Sequence, residues 1–486
     1  MYRRYRLALV LSVAAAVMPS PWALAAETAM AEQAADAMHR ACRFFRQTVS
    51  CEGGYLWRYS ADLTKREGEG RAGEQTVWVQ PPGTPSVGMA FLEAYELTGD
   101  AECLRLARDA GYCLVRGQLR SGGWDYRIEF DPERRRRYAY RSDPPRQRAR
   151  NVSTLDDNTT QAALRLLMRL DAALEFKDPA IHAAAVAGLD ALLAVQYPNG
   201  AWPQRFERPP DPALYPVKRA SYPDSWSRQW PKQGYSGYYT FNDNAIADTI
   251  DVMFLASAIY GDRRYAQAAE RAGDFILLAQ MPEPQPGWAQ QYDPDMHPAW
   301  ARKFEPPAIT GGEAAGILRT LMSLYRQTGK RKYLEPIPRA VAYYRSSRLP
   351  EGGLARFYEL KTNRPLYFTR DYQLTYDDSD MPTHYAFKVG DWVDAIAAQY
   401  ERLIEAPPEP RKPARRARPP RLSKSLKRKA LAVIGAMDDR GAWVENGRLR
   451  YQGAEDDTRR IIDCQTFITN LRILATCVAA ARQRSN

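Results

Sequence analysis

Apolar residues recur at helical spacing along most of the chain, and the helical stretches come in pairs. SVGMAFLEAYELTG and AECLRLARDAGYCLVRGQ form one pair, followed by a glycine turn and GGWDYRIEF. The unit recurs from Asp157 to Gln196 before NGAWPQRF, from Asn244 to Gln280 before PGWAQQYD, and from Thr310 to Ser347 before EGGLARFYEL. A fainter copy ends in DRGAWVENGRL, and Ala31 to Thr48 reads as a further helix. Trp124, Trp202, Trp288 and Trp443 hold one position of the repeat, where the fourth copy carries Leu354. A helix pair buries its apolar stripe only against neighbouring pairs, so repeated pairs either stack in the open or close into a ring. The pattern predicts an all-α dominant fold, an incomplete α/α toroid with short β-hairpin turns gathered at one end. An open solenoid fits less well, because the repeats are few and irregular.

Composition adds organisation to that picture. The chain has 486 residues, 45% hydrophobic and 26% charged, which is globular. Residues 1–25 have a basic start, an apolar run from Leu7 to Met18 and an A-x-A site at Ala23 to Ala25, the pattern of a secretory signal. That run is too short to span a bilayer, and no later stretch is expected to approach the roughly 20 apolar residues a span needs. An exported protein, secreted or periplasmic, is predicted, with no membrane partner and a monomeric state. Residues 26–405 are assigned to the toroid and 406–421, proline-rich and basic, to a surface linker. Residues 422–486 form a helical segment that completes or decorates the ring. The net charge of +12 suits an anionic partner. Without zinc-finger spacing or an RNA-binding signature, nucleic acid is excluded from the reading. The six cysteines, Cys42, Cys51, Cys103, Cys113, Cys464 and Cys477, are candidates for disulfides in an oxidising compartment. Cys103 and Cys113 share a helix at about 15 Å and cannot bridge each other.

Chemistry concentrates at two junctions. GYYTFNDNAIA runs from a β-prone aromatic stretch through Asn242, Asp243 and Asn244 straight into a helical pattern, and TLDDNTTQ does the same through Asp156, Asp157 and Asn158. Asp and Asn at one helix start are ordinary caps. Two such clusters at equivalent places in a repeat point to a shared site. Carboxylates beside amides suit a hard cation such as calcium, and acidic pairs also suit glycoside hydrolysis. Arg302, Lys303 and Glu305 lie beside Trp300 and Phe304, and Arg356, Arg364 and Arg370 lie among aromatics, a mixture that fits carboxylates and stacked sugar rings. The four histidines show no metal spacing, and no serine-nucleophile elbow, P-loop or dinucleotide motif is present.

GAWPQRF, YYTFNDNAIA, WARKFEPPAI and ARFYELKTNRPLYFTRD, in that order, resemble polysaccharide lyase family ten, the calcium-dependent pectate lyases. The resemblance runs from about Gly88 to His384, with a weaker echo in the C-terminal helices. It implies a toroid of helix pairs and β-elimination in polygalacturonate, with Ca2+ and arginines stabilising the enolate-like charge. Carried over by motif, Asp156, Asp157 and Asp243 take calcium or its bridge to substrate, and Arg302 is the catalytic arginine. Arg356 and Arg370 bind the substrate carboxylate, and Tyr239 and Lys303 are placed with the substrate. Arginine is normally always protonated, so its use as a base calls for burial beside other cations to lower its pKa; Lys303 is the chemically easier base. The chain departs from the family in reading Asp156-Asp157-Asn158 where Asp then Asn is usual. It also carries a long Pro-, Trp- and Arg-rich segment, Glu207 to Gly237, positioned to reshape the groove. The competing readings are a glycoside hydrolase on the same toroid, using Asp243 with Asp156 or Asp157, and a polyuronate-binding protein without turnover.

Overall fold

A computed structural model describes residues 21–406 and 421–485. Most of the predicted signal (residues 1–20) and of the linker (407–420) lies outside the described residues. The helices are α1 (Pro21–Phe44), α2 (Thr84–Thr98), α3 (Ala101–Gly117), the single turn α4 (Pro132–Arg135), α5 (Thr159–Ala173) and α6 (Pro179–Ala194). They continue with α7 (Ala245–Tyr260), α8 (Arg263–Leu278), α9 (Ala314–Thr328), α10 (Ile337–Ser346), α11 (Val393–Glu405), α12 (Lys424–Gly435) and α13 (Cys464–Ser485). Strands are short and confined to the turns.

Local chemistry fixes the tight hairpins. Gly99 and Gly261 end α2 and α7 at φ 72°, a left-handed conformation that costs glycine little. The next residue, Asp100 or Asp262, immediately caps the following helix by accepting its first-turn N–H groups. Asp178 caps α6 in the same way, with Pro179 at the first helical position.

The pairs assemble as an α/α toroid. Helices α13, α2, α5, α7, α9 and α11 each pack on the next, and α1, α3, α6, α8 and α10 each pack against a member of that series. Each repeat is pinned by its tryptophan. The indole N–H of Trp124 donates to Leu114 O at 2.9 Å, Trp202 to Leu192 O at 2.8 Å, Trp288 to Ile276 O at 2.9 Å and Trp443 to Val433 O at 2.9 Å. A glutamine then locks neighbouring pairs together. Gln118 donates to Gly122 O and Ala184 O, Gln196 to Gly200 O and Ala268 O, and Gln280 to Pro286 O and Pro336 O.

The C-terminal segment is built into the start of the chain. Strand Arg460–Asp463 pairs antiparallel with Arg58–Ser60, and α13 packs against α1 and α2. Contrary to expectation, Cys464–Arg482 is long and apolar enough to cross a membrane by length and composition, with mean hydropathy 1.2. Its apolar face is taken up inside the fold, where Cys464, Leu471, Leu474 and Cys477 are fully buried. The thiols also differ from the disulfide expectation: all six cysteines are free, and five of them are buried.

Candidate active site

Two corners of identical construction place the acidic groups. Strand Ser153–Thr154 pairs with Arg205–Phe206, and Tyr239–Thr240 pairs with Gln291–Tyr292. Beyond each strand one more bond forms, Leu155 N–H to Gln204 O and Phe241 N–H to Gln290 O, both 2.8 Å. The threonine hydroxyl then accepts from the residue two further on, Asp156 N–H or Asn242 N–H, at 3.1 Å in each case. The next two residues are left-handed: Asp157 and Asn158 at φ 50° and 59°, Asp243 and Asn244 at φ 48° and 57°. Asn and Asp tolerate this region better than other side-chain-bearing residues. The side chains of Asn158 and Asn244 do not cap α5 and α7. The backbone is bent so that the carboxylates face one another.

Asp156, Asp157 and Asp243 each bring a carboxylate oxygen within 4.8 Å of the others. Tyr126 Oη donates to Asp156 Oδ2 at 2.7 Å, and Gln80 Nε2 donates to Asp157 Oδ2 at 2.9 Å. Asn242 Nδ2 donates to Asp243 Oδ2. Desolvation, followed by repulsion from Asp156, pushes Asp157 up from 3.8 to about 6 and Asp243, which is more exposed than the other two, to about 7. Asp156 Oδ1 is buried with no hydrogen-bond partner. Three mutually repelling carboxylates with an orphaned buried oxygen form a hard-oxygen donor set, so these residues fit a calcium ion.

Arg302 faces this cluster, and its charge acts on both Asp157 and Asp243. Its Nε donates to Glu305 Oε2 at 2.8 Å, its Nη2 to Oε1 at 2.5 Å, and its backbone N–H to Oε2 at 3.0 Å. Glu305, with its side chain 1% exposed, also accepts from Gln290 Nε2 at 2.7 Å and Tyr385 Oη at 3.0 Å. Burial alone would raise Glu305, but Arg302 outweighs it and holds the carboxyl below its usual range. The expected lowering of Arg302 is corrected here. Burial does favour its neutral form, yet the paired Glu305 wins and pushes the guanidinium up.

Arg356 joins the same wall. Its Nη1 donates to Glu313 Oε1 at 2.7 Å and its Nε to Ala386 O at 2.6 Å. The Tyr385 ring lies 4.6 Å from the Arg356 guanidinium and 5.6 Å from that of Arg302. Other sequence-predicted residues sit elsewhere. Arg370, 72% exposed, pairs with Asp380 at 3.3 Å. Lys303 is exposed, its ammonium 3.4 Å from the Tyr372 ring centroid. Tyr239 is corrected from a substrate contact to a core residue, fully buried among Tyr197, Tyr215 and Phe275.

Gln80, Tyr126, Arg205, Gln290, Glu305 and Tyr385 belong to the site and were not assigned to it from sequence. Arg205 Nη2 lies 4.0 Å from Asp156 Oδ2, with its guanidinium 5.7 Å from the Tyr126 ring. The repeat itself carried a signal for some of them. Tyr126, Gln204, Gln290 and Arg356 each lie two residues after the repeat's Trp or Leu354, and three of the four hydrogen-bond a site side chain.

Residues 118–353 match the family model described as Pectic acid lyase, a narrower span than 88–384, ending before Arg356. No curated protein matches the chain. Among solved structures, the chain is similar to a family 10 polysaccharide lyase from Cellvibrio cellulosa at 22% identity and TM-score 0.44, covering 61% of this chain and 92% of that one. An aspartate mutant of a Cellvibrio cellulosa family 10 enzyme in complex with trigalacturonic acid gives 21% identity and TM-score 0.44, covering 65% and 98%. A cellobiose 2-epimerase from Bacillus thermoamylovorans gives 11% identity and TM-score 0.44, covering 94% and 100%.

Proposed function

Residues 118–353 match the pectic acid lyase family model, which supports a polysaccharide lyase, and from that premise we propose that the chain cleaves polygalacturonate by β-elimination with calcium as cofactor, after export from the cytoplasm. The observation that carries this reading is Arg302 held by Glu305 against three converging carboxylates. Asp156, Asp157 and Asp243 would hold the ion. Once bound, calcium supplies positive charge to neutralise the substrate carboxylate as electron density builds on it.

In the reaction a base removes the C5 proton, the C–H electron pair becomes the C4–C5 double bond, and the C4–O bond breaks with the leaving oxygen taking a proton. Arg302 is assigned to the C5 proton. Its Nε and Nη2 are committed to Glu305, which fixes the guanidinium plane and leaves Nη1 as the edge presented to substrate. Because Glu305 holds the guanidinium protonated in the resting protein, Arg302 takes the C5 proton only after giving up one of its own to solvent, and activity rises with pH into the alkaline range. Arg356, oriented by Glu313 and stacked on Tyr385, gives a second guanidinium for the same carboxylate. Lys303, on Tyr372, is not the group facing the acid cluster.

The decisive assay is near-ultraviolet absorbance of the unsaturated product from polygalacturonate, with calcium and then with chelator, beside Arg302→Ala. Calcium-dependent absorbance that disappears in the mutant supports the reading. New reducing ends without absorbance would make the carboxylates acid and base of a hydrolase. Binding with neither signal would make this a polyuronate-binding protein.

A further inference from the structure

Between strands Arg205–Phe206 and Tyr239–Thr240 the chain makes a long excursion that lies against the candidate site. Ala220 N–H donates to Leu278 O at 2.8 Å and Ser221 N–H to Met296 O at 3.2 Å. Further along, Trp230 Nε1 donates to Ala301 O at 2.8 Å, and Trp300 Nε1 donates back to Ser227 O at 2.7 Å. Residues 227–230 are thereby fastened beside residues 300–301, the two that precede Arg302. Tyr235, near the return of the excursion, feels the charges of Arg302, Glu305, Asp156 and Arg205.

At the outer side of this contact stands Arg228. Its Nη1 donates to Glu359 Oε1, and its side chain remains 45% exposed. Glu359 is nearly buried and also accepts from Tyr376 Oη at 2.7 Å and from Thr362 Oγ1. The Arg228 guanidinium lies 5.3 Å from the Trp226 ring and 5.1 Å from the Tyr376 ring, and Arg364 sits 3.4 Å from the Tyr376 centroid. The construction repeats that of Arg302, where a buried glutamate likewise holds one arginine and one tyrosine hydroxyl. Two guanidiniums against one carboxylate leave the patch one positive charge in excess, and Trp226 and Tyr376 are half-buried flat rings beside it.

We propose that Arg228, with Trp226 and Tyr376, forms a further subsite for a uronate residue of the polysaccharide, away from the bond that is cleaved. This rests on the proposed function. Arg228 keeps donors beyond the one given to Glu359 for a sugar carboxylate, and the Trp226 ring offers a stacking face for a pyranose beside Tyr376, one face of which Arg364 covers. The subsite makes the 207–237 excursion a determinant of preferred chain length.

The test is calorimetric binding of galacturonate oligomers of increasing length, with calcium, to Arg302→Ala protein, which cannot consume them. Arg228→Ala is added to that background, and Trp226→Ala is made separately to keep the Arg228–Glu359 pair. The expected result is a step: above one chain length, both additions weaken binding by about tenfold, the scale of a charge-assisted contact. An equal loss at every length, or no loss, overturns the subsite, and a lower melting temperature without the step shows that Arg228 only fastens the excursion. If the unmutated chain forms no unsaturated product and Arg302→Ala binds no oligomer, the function reading falls and the subsite with it. Length-dependent binding indifferent to Arg228 and Trp226 sinks the subsite alone.

Discussion

The corners at Asp156–Asn158 and Asn242–Asn244 and the corner at Thr310–Glu313 are the same turn with opposite electrostatics. In the third, Gly311 N–H donates to Arg356 O at 2.8 Å and Gly312 N–H to Thr310 Oγ1 at 3.0 Å, as their counterparts do. The helix then begins one residue sooner, at Ala314, and Glu313 stays right-handed at φ −77°. Without the left-handed pair, the carboxylate is not swung toward the other two corners; it accepts from Arg356 instead. One extra residue per corner therefore separates a cluster that attracts a cation from a clamp that presents one. The same scaffold builds both halves of the proposed site, an acidic cluster and an oriented arginine.

Breaking the acidic corner should have the largest effect. Asp243→Ala removes one of three converging carboxylates, and elimination should fall by about a thousandfold. Calcium should also cease to raise the melting temperature of the mutant, a readout independent of turnover. Glu313→Gln, at the third corner, should retain the calcium-induced rise while losing the ion pair that orients Arg356. If calcium stabilises Asp243→Ala as much as the parent, the ion binds elsewhere and the contrast between the corners is wrong.

The acidic corners should also set how stability follows pH. Asp157 and Asp243 are raised to about 6 and about 7 from 3.8, so between pH 4 and 7 these two groups hold more protons in the folded chain than in the unfolded one. Their contribution to stability must then fall as pH rises through that window. Glu305 contributes with the opposite sign, because Arg302 lowers it: its stabilisation is present above its ordinary 4.5 and is lost as pH falls. Melting temperatures measured with chelator should decline from pH 5 to 8, and saturating calcium should remove most of that decline. A flat chelator profile would mean that the three carboxylates do not repel as the geometry requires.

The helix pairs, the Trp turn and the two acidic junctions were legible in the sequence because each rests on local pattern: 3.6-residue periodicity, glycine turns, and Asp and Asn next to a helix start. Most of the residues that complete the site were not, since Gln80 and Tyr385 reach it only through the packing of repeats far apart in sequence. Glu305 was read as a neighbour of Arg302, yet its burial beside Gln290 and Tyr385, which fixes the arginine's charge, depends on residues 15 and 80 positions away. Tyr239 failed for the converse reason. In a strand, alternate residues face opposite sides, and sequence does not say which side is the core.

The smallest effect isolates the backbone bend itself. Asn244 sits at φ 57° and makes no side-chain hydrogen bond among the described residues, whereas the Oδ1 of its counterpart Asn158 accepts from Arg165 Nη1. Replacing Asn244 therefore changes little except the preference for a left-handed backbone. Alanine keeps the Cβ that crowds the carbonyl oxygen in this region and loses the short polar side chain that makes asparagine tolerant of it, so it should cost about 1 kcal/mol. Glycine, free of that crowding, should be near neutral or slightly stabilising. Thermal unfolding of Asn244→Ala and Asn244→Gly with calcium bound should then separate in that order, with calcium affinity following the same ranking because the bend aims Asp243. Equal stability of the two variants would show that the corner relaxes when its side chain changes, and that the left-handed pair is not what holds the carboxylates together.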